Sequence, residues 1–457
     1  MKDKKKLSTI DIRPGVSILS VLSHLNYQPW FAMAEFVDNS IESFIRHKDD
    51  LSKIDGNNHI LNVAIEYDSR NDGRIIIRDN AAGIFESEYP RAFRPAELPL
   101  DRSGLAEFGM GMKSAACWFS RNWSVRTTAL GENIERTVSF DISKIVKDQI
   151  QELTISSKNI NERAHFTEII LEGLHRPPQT RTLKKIKEHL ASIYRAFLRE
   201  KILNLTFDGE SLAFSNPKIL KAPYCKKPNS TPILWHKEID FDFGEGQKAK
   251  GFAALRETAS TSHAGFALFR RNRVIQGSGD EGYRPESVFG RPNSYRYQRL
   301  FGELHLEGFD VSHTKDGFRW EDHEEVFLSI LKEYLDKEPL PLLKQAEGLR
   351  VRPKRSSIKQ AAVQAVNETA EVVASRGADA MAAASSKANL QEQSLTKSQR
   401  SANVVAKQVV KEVEWRSKRW RITIDLADDP GVGDWLTLTG DLKSESKGEI
   451  GIRLSLA

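Results

Sequence analysis

Apolar positions along the first 195 residues switch repeatedly between a helical and a strand period. "LNVAIEYDS" (61–69) and "GRIIIRDN" (73–80) read as consecutive strands joined through "RNDG", a strong turn signal. "GMKSAACWFS" (111–120) reads as a helix that opens after a glycine-rich loop. "NWSVRTTAL", "ERTVSFDI" and "HFTEIILEGL" are further strands. "RTLKKIKEHLASIYRAFL" (181–198) carries apolar residues at helical spacing and closes this first domain, 1–195. A second α+β domain is expected over 196–345. It starts with a hairpin around Asp208-Gly209 in "ILNLTFDGESLAF", continues through "KAKGFAALRE", "AGFALFRRNRVIQG" and "RLFGELHLEGF", and ends on a helix stopped by Pro339. Residues 346–415 are rich in Ala, Ser, Gln, Glu and Lys and poor in large apolar residues, which predicts a helical or partly disordered linker. Residues 416–457 alternate like strands and predict a small β-rich segment.

One helix raises a chemical question. On residues 30–46, Trp30, Met33, Ala34, Val37, Ile41, Phe44 and Ile45 fall on one side and form a core stripe. Glu35 and Asn39 lie together on the opposite side. An isolated ExxxN is ordinarily a solvated polar face. About forty residues on, "IIIRDNAAGI" ends a strand in Asp79, and Gly83 follows in the turn. A strand-end aspartate can accept from an exocyclic amine, and the glycine lets backbone approach a planar ring.

Then "SGLAEFGMGMKSAA" sets Gly104, Gly109 and Gly111 ahead of Lys113 and an apolar helix. Such a loop running into a helix N-terminus offers free N–H groups to phosphate. A Walker A loop is excluded because Met112 separates Gly111 from Lys113. A dinucleotide GxGxxG fails because Ser114 stands in place of the third glycine.

The order and spacing of these weak signals resemble the GHKL ATPase superfamily, whose members include gyrase B, the ninety-kilodalton heat-shock chaperone, histidine kinases and MutL. "HFTEIILEGL" is similar to the strand whose threonine touches phosphate there, here Thr167. "AGFALFRRNRVIQG" and "GELHLEGFDVSHTKDGFRW" resemble segments of the second domain of MORC proteins, with His313, Lys315, Asp316 and Phe318 on the family's positions. The resemblance covers roughly residues 15–345. It implies a Bergerat-fold α/β sandwich followed by a transducer domain. ATP would lie with adenine against Asp79 and its phosphates toward the Gly104–Lys113 lid. Asn39 would hold Mg²⁺, Glu35 would polarise the attacking water, and Lys315 would reach the γ-phosphate. Slow hydrolysis and ATP-dependent homodimerisation are implied as well. Two departures stand out: Ala81 replaces the first glycine of "DNGxG", and His165 replaces the glycine before the threonine strand.

Composition narrows the rest only slightly. The chain has 457 residues, 39% hydrophobic and 28% charged, which suits two or three domains with proper cores. No apolar run approaches the roughly 18 residues of a membrane span. "MKDKKKLSTIDIRPG" lacks the apolar stretch of a secretory signal. Cys117 and Cys225 are too few for a disulfide framework. A cytoplasmic setting without membrane association is therefore expected. A net charge of +6 and a pI near 9.0 permit DNA as a partner without requiring it. Three classes stay open: a MORC-like clamp on DNA, in a prokaryotic defence or restriction setting; a chaperone-like ATPase on protein clients; and a nucleotide-gated scaffold that recruits an effector.

Overall fold

A computed structural model describes residues 15–348, except 57–58, 96, 98–103 and 322, together with 405–415, 418–427, 436–442 and 451–456. The chain separates into two compact units, Met1–Leu349 and Arg350–Ala457.

The first unit holds two main sheets. The larger consists of β1 (Leu61–Asp68), β2 (Arg74–Asp79), β3 (Ser120–Thr128), β4 (Ile134–Asp141), β5 (Ile155–Asn159), β6 (Phe166–Leu174), β7 (Leu203–Phe207) and β8 (Glu210–Ser211). Their order across the sheet is β5-β4-β3-β6-β2-β1-β7-β8, antiparallel except where β1 and β7 run parallel. Along β1, Leu61, Val63 and Ile65 are buried while Asn62 and Glu66 are exposed, the alternation of a sheet covered on one face. Ile75, Ile77 and Asp79 share the covered face of β2.

The covering layer is built from α1 (Ile18–Leu22), α2 (Pro29–Arg46), α3 (Lys48–Asp55), α4 (Tyr89–Phe93), α5 (Gly111–Phe119), α6 (Ile142–Lys147), α7 (Thr180–Ile193) and α8 (Arg195–Arg199). α2 packs against both α5 and α7. Pro29 opens α2 at its first position, where a missing N–H costs nothing and the fixed φ suits the helix. Trp30, Met33, Ala34, Val37, Ile41 and Phe44 enter the core, but Ile45 is 51% exposed and does not join the stripe.

After a short ribbon of β9 (Lys221–Ala222) and β10 (Ile233–Leu234), the second sheet is formed by β11 (His236–Gly244), β12 (Gln247–Leu255), β13 (Gly265–Arg270), β14 (Arg273–Gln276) and β15 (Leu300–Glu307), in the order β11-β12-β15-β13-β14. The β13–β14 hairpin turns at Arg271 and Asn272, both with positive φ. A small ribbon, β16 (Asp310–Val311) and β17 (Phe318–Arg319), encloses the loop that carries Lys315. α9 (Glu286–Phe289), α10 (Tyr295–Arg299), α11 (His323–Asp336) and α12 (Leu342–Gly348) complete this half, and its core includes Trp235, Phe266, Leu304, Phe327 and Leu343.

Three expectations are corrected. The strand and hairpin at 203–211, assigned to the start of the second domain, belong to the first sheet, because β7 extends β1 in parallel and Asp208 caps the N–H of Tyr67 at 2.8 Å. α12 carries the second domain past its expected end at 345, since Ala346, placed in the linker span, packs into the second core. The second unit starts its strands inside that span too: β18 (Val405–Trp415), β19 (Lys418–Ala427), β20 (Leu436–Leu442) and β21 (Gly451–Leu456) form one antiparallel sheet. The rest of the expected linker, 349–404, lies outside the described residues.

Candidate functional site

A cleft over α2 is lined by Glu35, Asn39, Asp79, Gly83, Gly109, Gly111, Lys113, Thr167 and Lys315, which come from five separate parts of the sequence. Phe36, Ile77, Ile84, Met112 and Ile169 supply apolar wall between them. Gly104 lies beside a neighbouring depression with Glu42 and Arg271.

At one end, Asp79 is buried on the covered face of β2. Its Oδ2 accepts from Ser40 Oγ at 2.6 Å, and its Oδ1 accepts from the N–H groups of Ala81 and Thr167 at 3.1 and 3.0 Å. Burial pushes its carboxyl up, and these donors and His165 oppose the rise. With three bonds accepted, a carboxylate retains capacity for one more donor, such as an exocyclic amine. Asn80 does not share this role: its side chain is spent on Asn62 N and the Ile60 carbonyl. His165, the departure from the family pattern, bridges the Ala81 carbonyl and Asp55 at 2.8 Å each, so it braces the turn that carries Ala81.

Gly83 is required by the turn: its φ is +73°, and a Cβ there would come within 3.0 Å of Ala129 Cα and closer still to the Thr128 carbonyl. Thr167 sits next to Thr127, which holds the Ile84 N–H at 2.9 Å. Asn39 lines the cleft with no hydrogen-bond partner among the described residues, so its carboxamide oxygen is available.

At the other end, the first turn of α5 (Gly111, Met112 and Lys113) faces the cleft, and the N–H groups of a helix's first turn have no carbonyl within the helix. Anions settle at such ends. Lys113 itself is buried and donates to the carbonyls of Arg91 and Ala92 at 2.7 and 3.1 Å, and burial, with Arg91 nearby, pushes its amine down to about 7. The lid before α5 is tied on both sides. Glu42 of α2 accepts from Leu105 N at 2.7 Å, while Arg270 and Arg271 from the β13–β14 hairpin each reach Glu107 at 2.5 Å. Arg271 also donates to the Gly104 carbonyl.

Glu35 is not on a solvated face. It is 3% exposed, because the second sheet and the Lys315 loop cover the polar side of α2. Lys315 Nζ lies 3.0 Å from Glu35 Oε2 and 2.7 Å from Asp38 Oδ2. Arg273, fully buried, reaches Asp38 Oδ1 at 2.9 Å. The two carboxylates differ. Burial pushes Glu35 up despite Lys315, whereas for Asp38 the same burial is outweighed by Arg273 and Lys315, which hold it below the usual carboxylate range. Lys315 is raised: burial opposes its charge, but Asp38 and Glu35 prevail. Glu35 is therefore the more basic carboxylate, and its Oε1 is buried with no protein partner. A buried orphan oxygen of this kind needs a ligand or water.

Sequence reasoning passed over Asp38, Ser40, Glu42 and Arg273. Ser40 and Asp38 flank Asn39 and could have been weighed from their place on the same turn. Arg273 was hidden in the "RRNR" hairpin among residues that normally face solvent.

Residues 27–167 match the family described as Histidine kinase-, DNA gyrase B-, and HSP90-like ATPase. This segment is a GHKL-type, ATP-binding ATPase domain. The match runs from just before α2 to Thr167, so it takes in Glu35, Asn39, Asp79, Gly83, Gly109, Gly111, Lys113 and Thr167 but not Ile169, Arg273 or Lys315. Its α/β sandwich agrees with the expected fold class. No curated protein matches the chain. Among the described residues, no helix is long and apolar enough to cross a membrane.

Proposed function

We propose that the protein hydrolyses ATP slowly in this cleft, with Glu35 as the base and Lys315 as the sensor of the terminal phosphate. The observation that carries this reading is the Glu35 carboxylate, with one oxygen on Lys315 at 3.0 Å and the other buried without a protein partner. An oxygen so placed can take the proton of a water attacking phosphorus, while the ammonium stabilises charge on the transferred group. The adenine end is read by Asp79, and the α5 N-terminus receives phosphate oxygens. Asn39 fits Mg²⁺, since a free carboxamide oxygen is a good hard ligand beside that end of the cleft. When bound, Mg²⁺ neutralises charge on the phosphate oxygens.

In the wider reading the chain is a MORC-like clamp that dimerises with ATP and acts on DNA. Lys315 belongs to the second half of the unit, so contact with a γ-phosphate would fix that half relative to the ATPase sheet, and two protomers held alike would present matching surfaces. The basic pI near 9.0 favours DNA over protein clients.

The test is Glu35→Ala. Turnover should fall about 10²- to 10⁴-fold with Mg·ATP binding intact, and unchanged turnover would remove Glu35 from the mechanism. Binding to DNA that weakens steeply with salt separates the clamp from a chaperone. A Glu35→Ala protein with full biological activity points to a scaffold.

A further inference from the structure

Lys315 sits at the tip of a tight loop, with φ of +51°. Asp316 builds that loop by accepting from Ser312 and Thr314 at 2.5 and 2.8 Å. The loop places the backbone, and a four-carbon side chain still has many rotamers to choose from. Neighbours behind the cleft remove the choice. Asp38 does not line the cleft and is completely buried beneath it.

Both Asp38 oxygens are occupied. Oδ2 takes the Lys315 ammonium at 2.7 Å, and Oδ1 takes Arg273 Nε at 2.9 Å. The Tyr194 hydroxyl lies 2.7 Å from both Asp38 Oδ1 and the Ala34 carbonyl, so its single proton serves one at a time. Arg273 uses its fork in two directions, because Nη1 also donates to the carbonyl of Lys315 at 3.0 Å. The guanidinium thus grips the carboxylate that holds the ammonium and the backbone of the residue that carries it.

Charge balances: Glu35 and Asp38 against Lys315 and Arg273. Pairing offsets the cost of burying these four charges, although Glu35 Oε1 and Arg273 Nη2 have no protein partner among the described residues. An ammonium has three N–H donors. Two go to Asp38 and Glu35, and the third has no protein acceptor among the described residues, although Lys315 lines the cleft.

We propose that Asp38 and Arg273 are positioning residues for Lys315. Asp38 anchors the ammonium from behind, Arg273 locks Asp38 to the Lys315 backbone, and the remaining N–H is presented to the terminal phosphate of a nucleoside triphosphate. This rests on the reading of the cleft as a triphosphate site. A lysine at 273 would keep the charge but could not bridge two acceptors in a fixed plane.

The measurement is the preference for a non-hydrolysable ATP analogue over ADP, by calorimetry on the full chain with Mg²⁺. Only the analogue carries the group that Lys315 meets. Lys315→Ala should cut the preference by about ten- to a hundredfold, the value of a hydrogen bond to a charged group. Arg273→Lys and Asp38→Asn should each approach that loss, leave ADP binding within about twofold, and add little to Lys315→Ala in double variants, as coupled residues do. Tyr194→Phe, the mildest change, keeps the question answerable if Asp38→Asn does not fold, and should give a smaller loss in the same direction. Equal weakening of ADP and analogue would reduce Asp38 and Arg273 to structural props and overturn the proposal. So would a wild-type preference in Arg273→Lys. If Lys315→Ala alone keeps the wild-type preference, the triphosphate reading of Lys315 itself fails, a result distinct from failure of Asp38 and Arg273 to position it.

Discussion

Gly111 offers a test of the base that leaves Glu35 itself in place. It opens α5, and a Cβ built on it would lie 2.9 Å from Glu35 Cδ and 3.5 Å from Cγ, nearer still to Oε2. Carbon atoms pack at about 3.5–4.0 Å, so the carboxyl group must retreat by roughly 0.6–1.1 Å. Glu35 is 3% exposed, and Lys315 holds the same Oε2 at 3.0 Å, so the retreat moves the base relative to the phosphate sensor. A displacement near 1 Å costs on the order of 10²-fold in rate. The gain in helix propensity on replacing glycine by alanine, at most about 1 kcal/mol, offsets only part of the cost of this overpacking, about 1–3 kcal/mol. Gly111→Ala is thus expected to stay folded with a modestly lower melting temperature and to keep its ADP affinity while phosphate release falls by about 10- to 100-fold. Steady-state phosphate release with calorimetry of ADP makes the comparison. Gly83→Ala is the contrasting control, since its clash is with backbone and its φ is +73°; it should lose nucleotide binding and stability together. If Gly111→Ala hydrolyses ATP within about threefold of the wild type, the position of Glu35 against α5 does not matter to catalysis, and the placement of the base argued from the 1 Å criterion is wrong.

Other outcomes can be stated briefly. Asp79→Asn should weaken adenine nucleotides selectively, because an amide replaces an oxygen that accepts from Ser40 or from the Ala81 and Thr167 N–H groups; normal Mg·ATP affinity by calorimetry would place adenine elsewhere. Asn39→Ala should weaken ATP with Mg²⁺ far more than ATP in EDTA, and equal losses would exclude Asn39 as a metal ligand. His189 stacks on Trp30 at 4.0 Å, and burial, opposed by Asp280, pushes it down from 6.5 to about 4. Since the folded value is below the unfolded one, its contribution is complete above about pH 6.5 and is lost as pH falls toward 4, roughly 2 kcal/mol by pH 5. Urea midpoints at pH 7 and pH 5 should show that slope, and His189→Gln should flatten it.

The one-dimensional pattern determined a good deal. The period change at 61–80 announced β1 and β2, because a covered sheet face demands alternation and "RNDG" supplies residues that accept a left-handed turn. ExxxN, the strand-end aspartate and the glycine-rich run were each local, so their order could be read without a fold. Other features depended on what lay across the gap. Ile45 falls on the apolar arc of α2, yet it is exposed, because an arc is buried only as far as its neighbours extend. β7 looked like the start of a new domain since its pattern fits any sheet, and the parallel pairing with β1 is a long-range choice that sequence alternation does not encode. The covered state of Glu35 was invisible for the same reason. Only the tertiary structure brings Arg273 and Lys315, some 235 and 280 residues along the chain from their carboxylate partners, into a buried, charge-balanced cluster. Residue type decides which groups can do chemistry; burial and distance, which belong to packing, decide which of them carry a proton, a metal or a phosphate.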